Sequence, residues 1–324
     1  MKGCPPLEPR AFKQKRLSCF FQKGPSFYIE YNLRLWWFLL FAKMDLVCAI
    51  DLDTILPCYF ASAIRGKKRV YDAHEFFTEM KEVATRPLIS RIWLAIERFA
   101  VPKFKNGYTV NHWIAHAFKD RYLVDYGVIR NLPLYLPYQG LPSEQKFILY
   151  QGAVNEGRCF EQLIPAMKDV KAPLRIYGTG NFIDQTISII NKHSLQYKIE
   201  INKPVKPTEL RQITGQAWIG ITLFDEGGLS QVHSLANRFF DYMMAGIPQL
   251  CIDFPEYRSL NEEFEIAYLI PDTEPKTIAD ALNKLLQDPV LYHKLKTNCL
   301  KAREIWNWKE EERHLISFYE QVLK

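Results

Sequence analysis

Trp218 to Ile252 read WIGITLFDEGGLSQVHSLANRFFDYMMAGIPQLCI. Residues 218–224 carry no charge, which predicts a strand buried on both faces of a parallel sheet. Gly227 and Gly228 break regular structure, residues 235–244 fit a helix, and the apolar run 249–252 predicts a second strand. A strand, a glycine turn, a helix and a strand make one βαβ unit, so this region belongs to an α/β fold.

The alternation continues outward in both directions. Upstream, strands at 147–151, 174–177 and 197–201 are separated by helices at 160–170, 182–192 and 208–214. Downstream come a strand at 267–270 and helices at 277–286 and 291–306. A second series lies nearer the N-terminus: a strand at 46–50, a helix to residue 64 capped by Asp51 and Asp53, a strand at 69–72, a helix at 88–99, a strand at 107–110, a helix at 114–126 and a strand at 128–131. Pro133, Pro137, Gly140 and Pro142 break the chain between the two series and mark a linker. Two doubly wound units predict a ligand cleft between them, outside the carboxyl ends of the strands. Residues 1–34 show no periodicity, only interleaved basic and aromatic side chains.

At 324 residues and 48% hydrophobic content the chain can bury two cores. Lys and Arg exceed Asp and Glu by 42 to 36, a net charge of +6 that suits anionic partners without choosing among them. The excess is mostly N-terminal: residues 1–43 hold Lys2, Arg10, Lys13, Lys15, Arg16, Lys23, Arg34 and Lys43 against Glu8 and Glu30. No recognised reader of nucleic acid accompanies these charges, so no nucleic-acid partner is expected. Seven scattered cysteines without a C-x-x-C pair indicate neither a zinc site nor a disulfide framework and suit a reducing cytoplasm. The apolar block 35–42 is far shorter than the roughly 20 residues of a membrane span, and no signal peptide precedes it.

Candidate chemistry centres on the quoted stretch. Glycines and small polar residues ahead of a helix leave backbone N–H groups free for a diphosphate, which singles out Gly227, Gly228, Leu229 and Ser230. Asn237 and Asp241 are four apart and share a helix face, and Arg238 and Asp241 are three apart. A carboxylate accepting from two ribose hydroxyls and a guanidinium neutralising phosphate would together hold one nucleotide; an internal Arg–Asp ion pair is the plainer alternative.

The run from Ser234 to Pro248 resembles the donor-binding helix of the GT-B glycosyltransferases, especially the large retaining family four, whose bacterial members carry patterns like S-L-P-N-K-F-F-E-Y-M-A-G-I-P. Ser234, Leu235, Asn237, Arg238, Phe240, Asp241, Tyr242, Met243, Ala245, Gly246 and Pro248 stand in matching places. Asp241 stands where that family has the second Glu of an acid pair, and His233 where it has the first, with Glu226 as a substitute. The loop GAVNEGR, Gly152 to Arg158, is similar to the family's strand-end loop, whose Arg reaches the donor diphosphate. YGTGN, with Gly178 and Gly180, closes a strand with a turn that lets backbone approach a nucleotide, and Lys203 in NKPV lies where the nucleobase is met. YDAHE resembles the family's cleft loop, with His74 facing the reacting sugar.

The resemblance implies two Rossmann-like domains: a partial acceptor domain at 1–139, whose opening βαβ unit is missing, a nucleotide-sugar domain at 140–304, and a helix at 305–324 crossing back to the first. It implies a hexosyl-type transfer from a nucleotide-diphosphate sugar to a glycan or lipid-linked acceptor in cell-surface polysaccharide or lipopolysaccharide assembly, with retention. His74, Arg158 and Arg238 would act on the reacting groups. Asp241, Gly228, Leu229, Ser230, Asn237, Gly152, Gly178, Gly180, Lys203 and Glu226 would bind the donor. No metal and no cofactor is expected, Asp51 and Asp53 being assigned to a helix start. Contact with an anionic membrane at its cytoplasmic face is an expected option for the basic N-terminal stretch. A non-catalytic interaction subunit and a sugar-nucleotide epimerase are the alternatives.

Overall fold

The computed structural model describes Leu7, residues 9–137, Gly140 and residues 145–324. Cys4, Pro142 and Gln139, the end of the expected first domain, lie outside the described residues. Two compact units emerge, one running to Ile129 and rejoined by Ser317–Lys324, the other Arg130–Ile316.

The first unit holds four parallel strands in the order β1-β2-β3-β4: β1 (Leu46–Ile50), β2 (Lys68–Ala73), β3 (Gly107–Thr109) and β4 (Gly127–Val128). Its helices are α1 (Gly24–Phe41), α2 (Ile55–Ile64), α3 (Lys81–Ala84), α4 (Pro87–Ala100) and α5 (His112–Tyr122). Ala49, Ile55, Tyr71, Phe76, Phe104 and Phe118 are buried in its core. Asn111 caps α5 by accepting from the Ile114 amide at 2.8 Å, and Leu123, left-handed at φ 55, ends it four residues before the expected stop. Tyr126 thereby leaves the helix and fills the core, its hydroxyl donating to the Phe104 carbonyl at 2.8 Å. Its ring explains Gly107, where a Cβ would lie 2.7 Å from that ring.

Two expectations are corrected here. Residues 24–41 form an 18-residue helix where no periodicity was legible before residue 34. Apolar side chains surround α1: Leu35, Trp36 and Leu39 pack inward while Ile29, Leu33, Trp37 and Phe41 are exposed, so no single stripe stands out. Asp51 does not cap the following helix. Its carboxylate accepts from the His74 amide at 3.0 Å, and Thr54 Oγ1 bonds the Ile50 carbonyl at 2.6 Å; Asp53 makes no side-chain cap either.

The second unit holds six parallel strands in the order β10-β9-β8-β5-β6-β7: β5 (Ile148–Gln151), β6 (Leu174–Tyr177), β7 (Ile199–Asn202), β8 (Ile219–Thr222), β9 (Gln249–Ile252) and β10 (Ala267–Ile270). Its helices are α6 (Phe160–Ala166), α7 (Ile183–Lys192), α8 (Pro207–Gln216), α9 (Leu229–Val232), α10 (Asn237–Met244), α11 (Pro255–Glu263), α12 (Pro275–Gln287) and α13 (Pro289–Ile305). The last helix, α14 (Trp308–Leu323), begins among residues of this unit and ends among those of the first. Helix α11 was not legible in the sequence, because only Tyr257 of its nine residues is buried and the rest carry little apolar signal. The chain starts its sheet at β5, builds outward through β6 and β7, then returns to the other side of β5 with β8. That reversal is a topological switch point, where neighbouring strand-end loops diverge and leave a crevice.

Candidate functional site

The loops that leave β5 and β8 at the switch point are tied together. The Asp225 amide donates to the Gly157 carbonyl at 3.1 Å. Gln231 from α9 places its side-chain amide on the Gly157 carbonyl at 2.9 Å and on the Asp225 carbonyl at 3.0 Å. Gly157, at φ 82, is where the chain turns back toward this staple. Phe224, just past β8, presents its ring to both guanidinium groups singled out in the sequence: Arg158 stands 4.5 Å from the ring centre and Arg238 4.7 Å.

Arg238 is 8% exposed. Its Nη1 donates to the Tyr150 hydroxyl at 2.9 Å, and that hydroxyl in turn donates to the Ala153 carbonyl at 2.7 Å. Its Nε and Nη2 are buried without a hydrogen-bond partner. Among the described residues no carboxylate pairs with it, so the internal Arg238–Asp241 ion pair does not form. An unpaired cation withdrawn from water costs several kcal/mol, and a bound anion offsets that cost. Gly152, at φ 120, brings backbone close: a Cβ there would lie 3.5 Å from Arg238 Nη1.

Asp241, one turn further along α10, faces a cavity of about 380 Å³ that Arg211, Thr208, Met244 and Leu134 also line. Its Oδ2 accepts from Gln151 Nε2 at 3.0 Å, and Gln151 Oε1 accepts from Thr214 Oγ1 at 2.6 Å. Burial pushes the Asp241 carboxyl up to about 6, against the opposing pull of the Gln151 bond and of Arg211. Gln151 was not singled out in the sequence. The signal was there, a polar residue closing the apolar run FILYQ. Replacing Gln151 with Leu strips a buried carboxylate and a buried hydroxyl of one partner each. Thermal unfolding should show a loss of about 1–3 kcal/mol; an unchanged melting temperature would mean that the amide does not hold Asp241.

The remaining candidates divide. Gly178 and Gly180 are needed by neighbouring protein: a Cβ on Gly178 would sit 1.8 Å from the Gly152 carbonyl oxygen, and one on Gly180 2.3 Å from that of Val154. Gly228, Leu229 and Ser230 do not head the helix that carries Arg238. They open α9, a separate turn of four residues that ends at Val232, and α10 starts only at Asn237; between them the Ser234 hydroxyl bonds the Gln231 carbonyl at 2.9 Å. Asn237 is exposed and accepts from Asn131 Nδ2 at 3.1 Å. Lys203 and Glu226 are exposed, and His233, partly buried, has its pKa lowered by that burial.

In the first unit His74 stands exposed at the end of β2, with Nε2 3.2 Å from Asp72 Oδ1. The Asp72 bond chiefly raises the imidazole's pKa, against burial. The other Asp72 oxygen accepts from Tyr108 at 3.1 Å, and Tyr108 meets the Tyr319 hydroxyl at 3.3 Å, so the orientation of His74 is set by a buried polar chain.

A search of curated protein sequences found no match. Among solved structures the chain is similar to a glycosyltransferase of Rickettsia africae, with TM-score 0.70 and 13% identity over 95% of this chain and 84% of that one. It is similar to HepE of Anabaena in complex with UDP, with TM-score 0.68 and 11% identity over 91% and 82%. TarM of S. aureus in complex with UDP gives TM-score 0.64 and 14% identity over 86% of this chain, which spans 55% of TarM. At these identities the likeness speaks for the fold, two parallel-sheet domains of the GT-B type. The family described as "Glycosyl transferases group 1" matches residues 136–302, just over half of the chain and most of the unit that holds Arg158, Arg238 and Asp241. The chain belongs to the group 1 glycosyltransferases.

Proposed function

We propose that the protein transfers a sugar from a nucleoside diphosphate sugar to a hydroxyl of a glycan or lipid-linked acceptor. The observation that carries this reading is Arg238, a buried guanidinium with two partnerless nitrogens beside the glycine backbone at the switch point. Such a group awaits a polyanion, and Arg158 on the same phenyl ring supplies a second charge. Asp241 would accept from the ribose hydroxyls, and the adjoining cavity would take the base.

Transfer breaks the bond between the anomeric carbon and the diphosphate oxygen, and negative charge grows on the departing phosphate. Arg158 and Arg238 are fixed before the reaction by Phe224 and Tyr150, so they need little reorganisation to stabilise that charge. The acceptor oxygen forms the new bond and gives its proton to the leaving phosphate, with the configuration of the sugar retained. His74, held by Asp72, would bind the transferred sugar. The design uses arginine where other enzymes use a metal. Cytoplasmic assembly of a surface polysaccharide or lipopolysaccharide is the setting we infer from the family.

UDP is the first probe, because HepE and TarM were solved with it. Saturating UDP should raise the melting temperature by about 4 °C, and UDP-sugars should do the same, while Arg158→Ala should erase most of the shift. If UDP, GDP, ADP and dTDP and their sugars all leave the melting curve unmoved, the donor site does not exist.

A further inference from the structure

Helix α1 carries an exposed surface that holds none of the residues assigned to donor binding or catalysis. Ile29, Leu33, Trp37 and Phe41 recur every four residues along its outer side and are 63%, 58%, 62% and 70% exposed. Neighbours four apart lie one above the other, so the four form an apolar band that winds gradually around the helix over a little more than about three turns. Residues 15–18 run beside it, and Lys15, Leu17 and Ser18 with Leu33, Trp37 and Phe41 line a shallow groove. Phe12, Phe20 and Phe21 add exposed rings at 68%, 86% and 54%. Single exposed apolar side chains need no explanation, but a contiguous aromatic patch of this kind marks an interaction surface.

The charges around the stripe select the occupant. Arg10, Lys13, Lys15, Arg16, Lys23, Arg34 and Lys43 fall in the described residues 9–43, and Glu30 is the one acid there. That acid is already engaged, accepting from the Phe20 and Phe21 amides and from Arg34 Nε at 2.8–3.0 Å. The amide bonds also fix the extended segment at the head of α1, so cations and rings are held on one rigid element. Lys15 lies over the Phe38 ring and Arg34 over the Phe20 ring, at 4.4 and 5.2 Å, which packs cationic heads and apolar stems side by side. No helix among the described residues is long and apolar enough to cross a membrane. A helix with an exposed Trp and Phe stripe and cations at its borders lies instead in the interface, its rings among acyl chains and its cations against anionic headgroups.

We propose that α1 and the segment before it dock the protein on an anionic lipid surface. This surface is argued without the donor reading: its residues belong to the first unit, whereas Arg158, Arg238 and Asp241 belong to the second. The test is sedimentation of the full chain with vesicles of phosphatidylcholine alone and of phosphatidylcholine mixed with phosphatidylglycerol. The expected result is binding to the mixed vesicles, at least about tenfold weaker in the double variant Trp37→Ser, Phe41→Ser and similarly weakened by raised salt. Both substitutions are on exposed side chains, and an unaltered melting temperature with UDP still bound would show that fold and donor site are intact. Equal sedimentation with both vesicle types, or unchanged binding by the double variant, would overturn the proposal. So would failure to sediment with either, whether the protein is then a monomer or is held in a dimer through this stripe.

Discussion

Replacing Arg238 with Met is expected to lower kcat/KM by about 100- to 1,000-fold while leaving the free protein as stable as before, or more stable by about 1 kcal/mol. The two halves of this result have one cause. The guanidinium is buried, two of its nitrogens have no protein partner, and no carboxylate neutralises it. On the proposed donor reading, the cost of burying that charge would be offset by a bound anion. Methionine fills similar volume without charge, and Tyr150 keeps its bond to the Ala153 carbonyl after the arginine is gone. Steady-state kinetics and thermal melts of the same preparations check both parts. A variant that melts well below the parent and still turns over would show Arg238 to be a structural strut rather than a phosphate ligand. Arg238→Lys should fall between, since it keeps a charge and loses the planar fork.

The second large effect concerns Asp241 and pH. Burial raises its carboxyl from an ordinary 3.8 to about 6, so the folded protein binds this proton more tightly than the unfolded chain does. Unfolding free energy from this group is therefore full below about 4 and declines as pH rises through about 6, by no more than roughly 3 kcal/mol. Donor binding runs the other way, because only the ionised form can accept from both ribose hydroxyls. KM for the donor should fall about tenfold between pH 5 and 7 as the carboxylate forms. In Asp241→Asn both slopes should flatten, with KM raised at least about tenfold at neutral pH. A KM profile that stays the same in the Asn variant would remove Asp241 from the donor site.

Much of the fold could be read in advance because buried parallel strands leave uninterrupted apolar runs. Residues 174–177, 249–252 and 267–270 coincide with β6, β9 and β10. Helices failed where their signal is two-sided or absent: α1 is apolar around most of its circumference, and α11 buries only Tyr257. At the candidate site, the charged residues singled out in the sequence come out on the strand-end side of the β5–β8 reversal: Arg158 and Arg238 on the Phe224 ring, and Asp241 against Gln151 at the end of β5. Residues that act by contact were not singled out. Nothing local distinguishes Phe224, Tyr150 or Gln231 from other core or loop positions; their importance comes from which loops the β5–β8 reversal places side by side. The close packing of Gly178 and Gly180 was not legible either. Each leaves room for a carbonyl of the β5 loop, a relation between loops about 25 residues apart that spacing within one loop cannot reveal.

The staple of Asp225 and Gln231 on Gly157 has a thermodynamic consequence for ligand capture. It joins the two strand-end segments by hydrogen bonds made within the protein itself, so their ordering does not depend on contacts to a bound molecule. On the proposed donor reading a diphosphate would meet segments already joined, and selectivity among anions would follow from shape as well as charge: a tail too short to span both cations would gain only part of the grip.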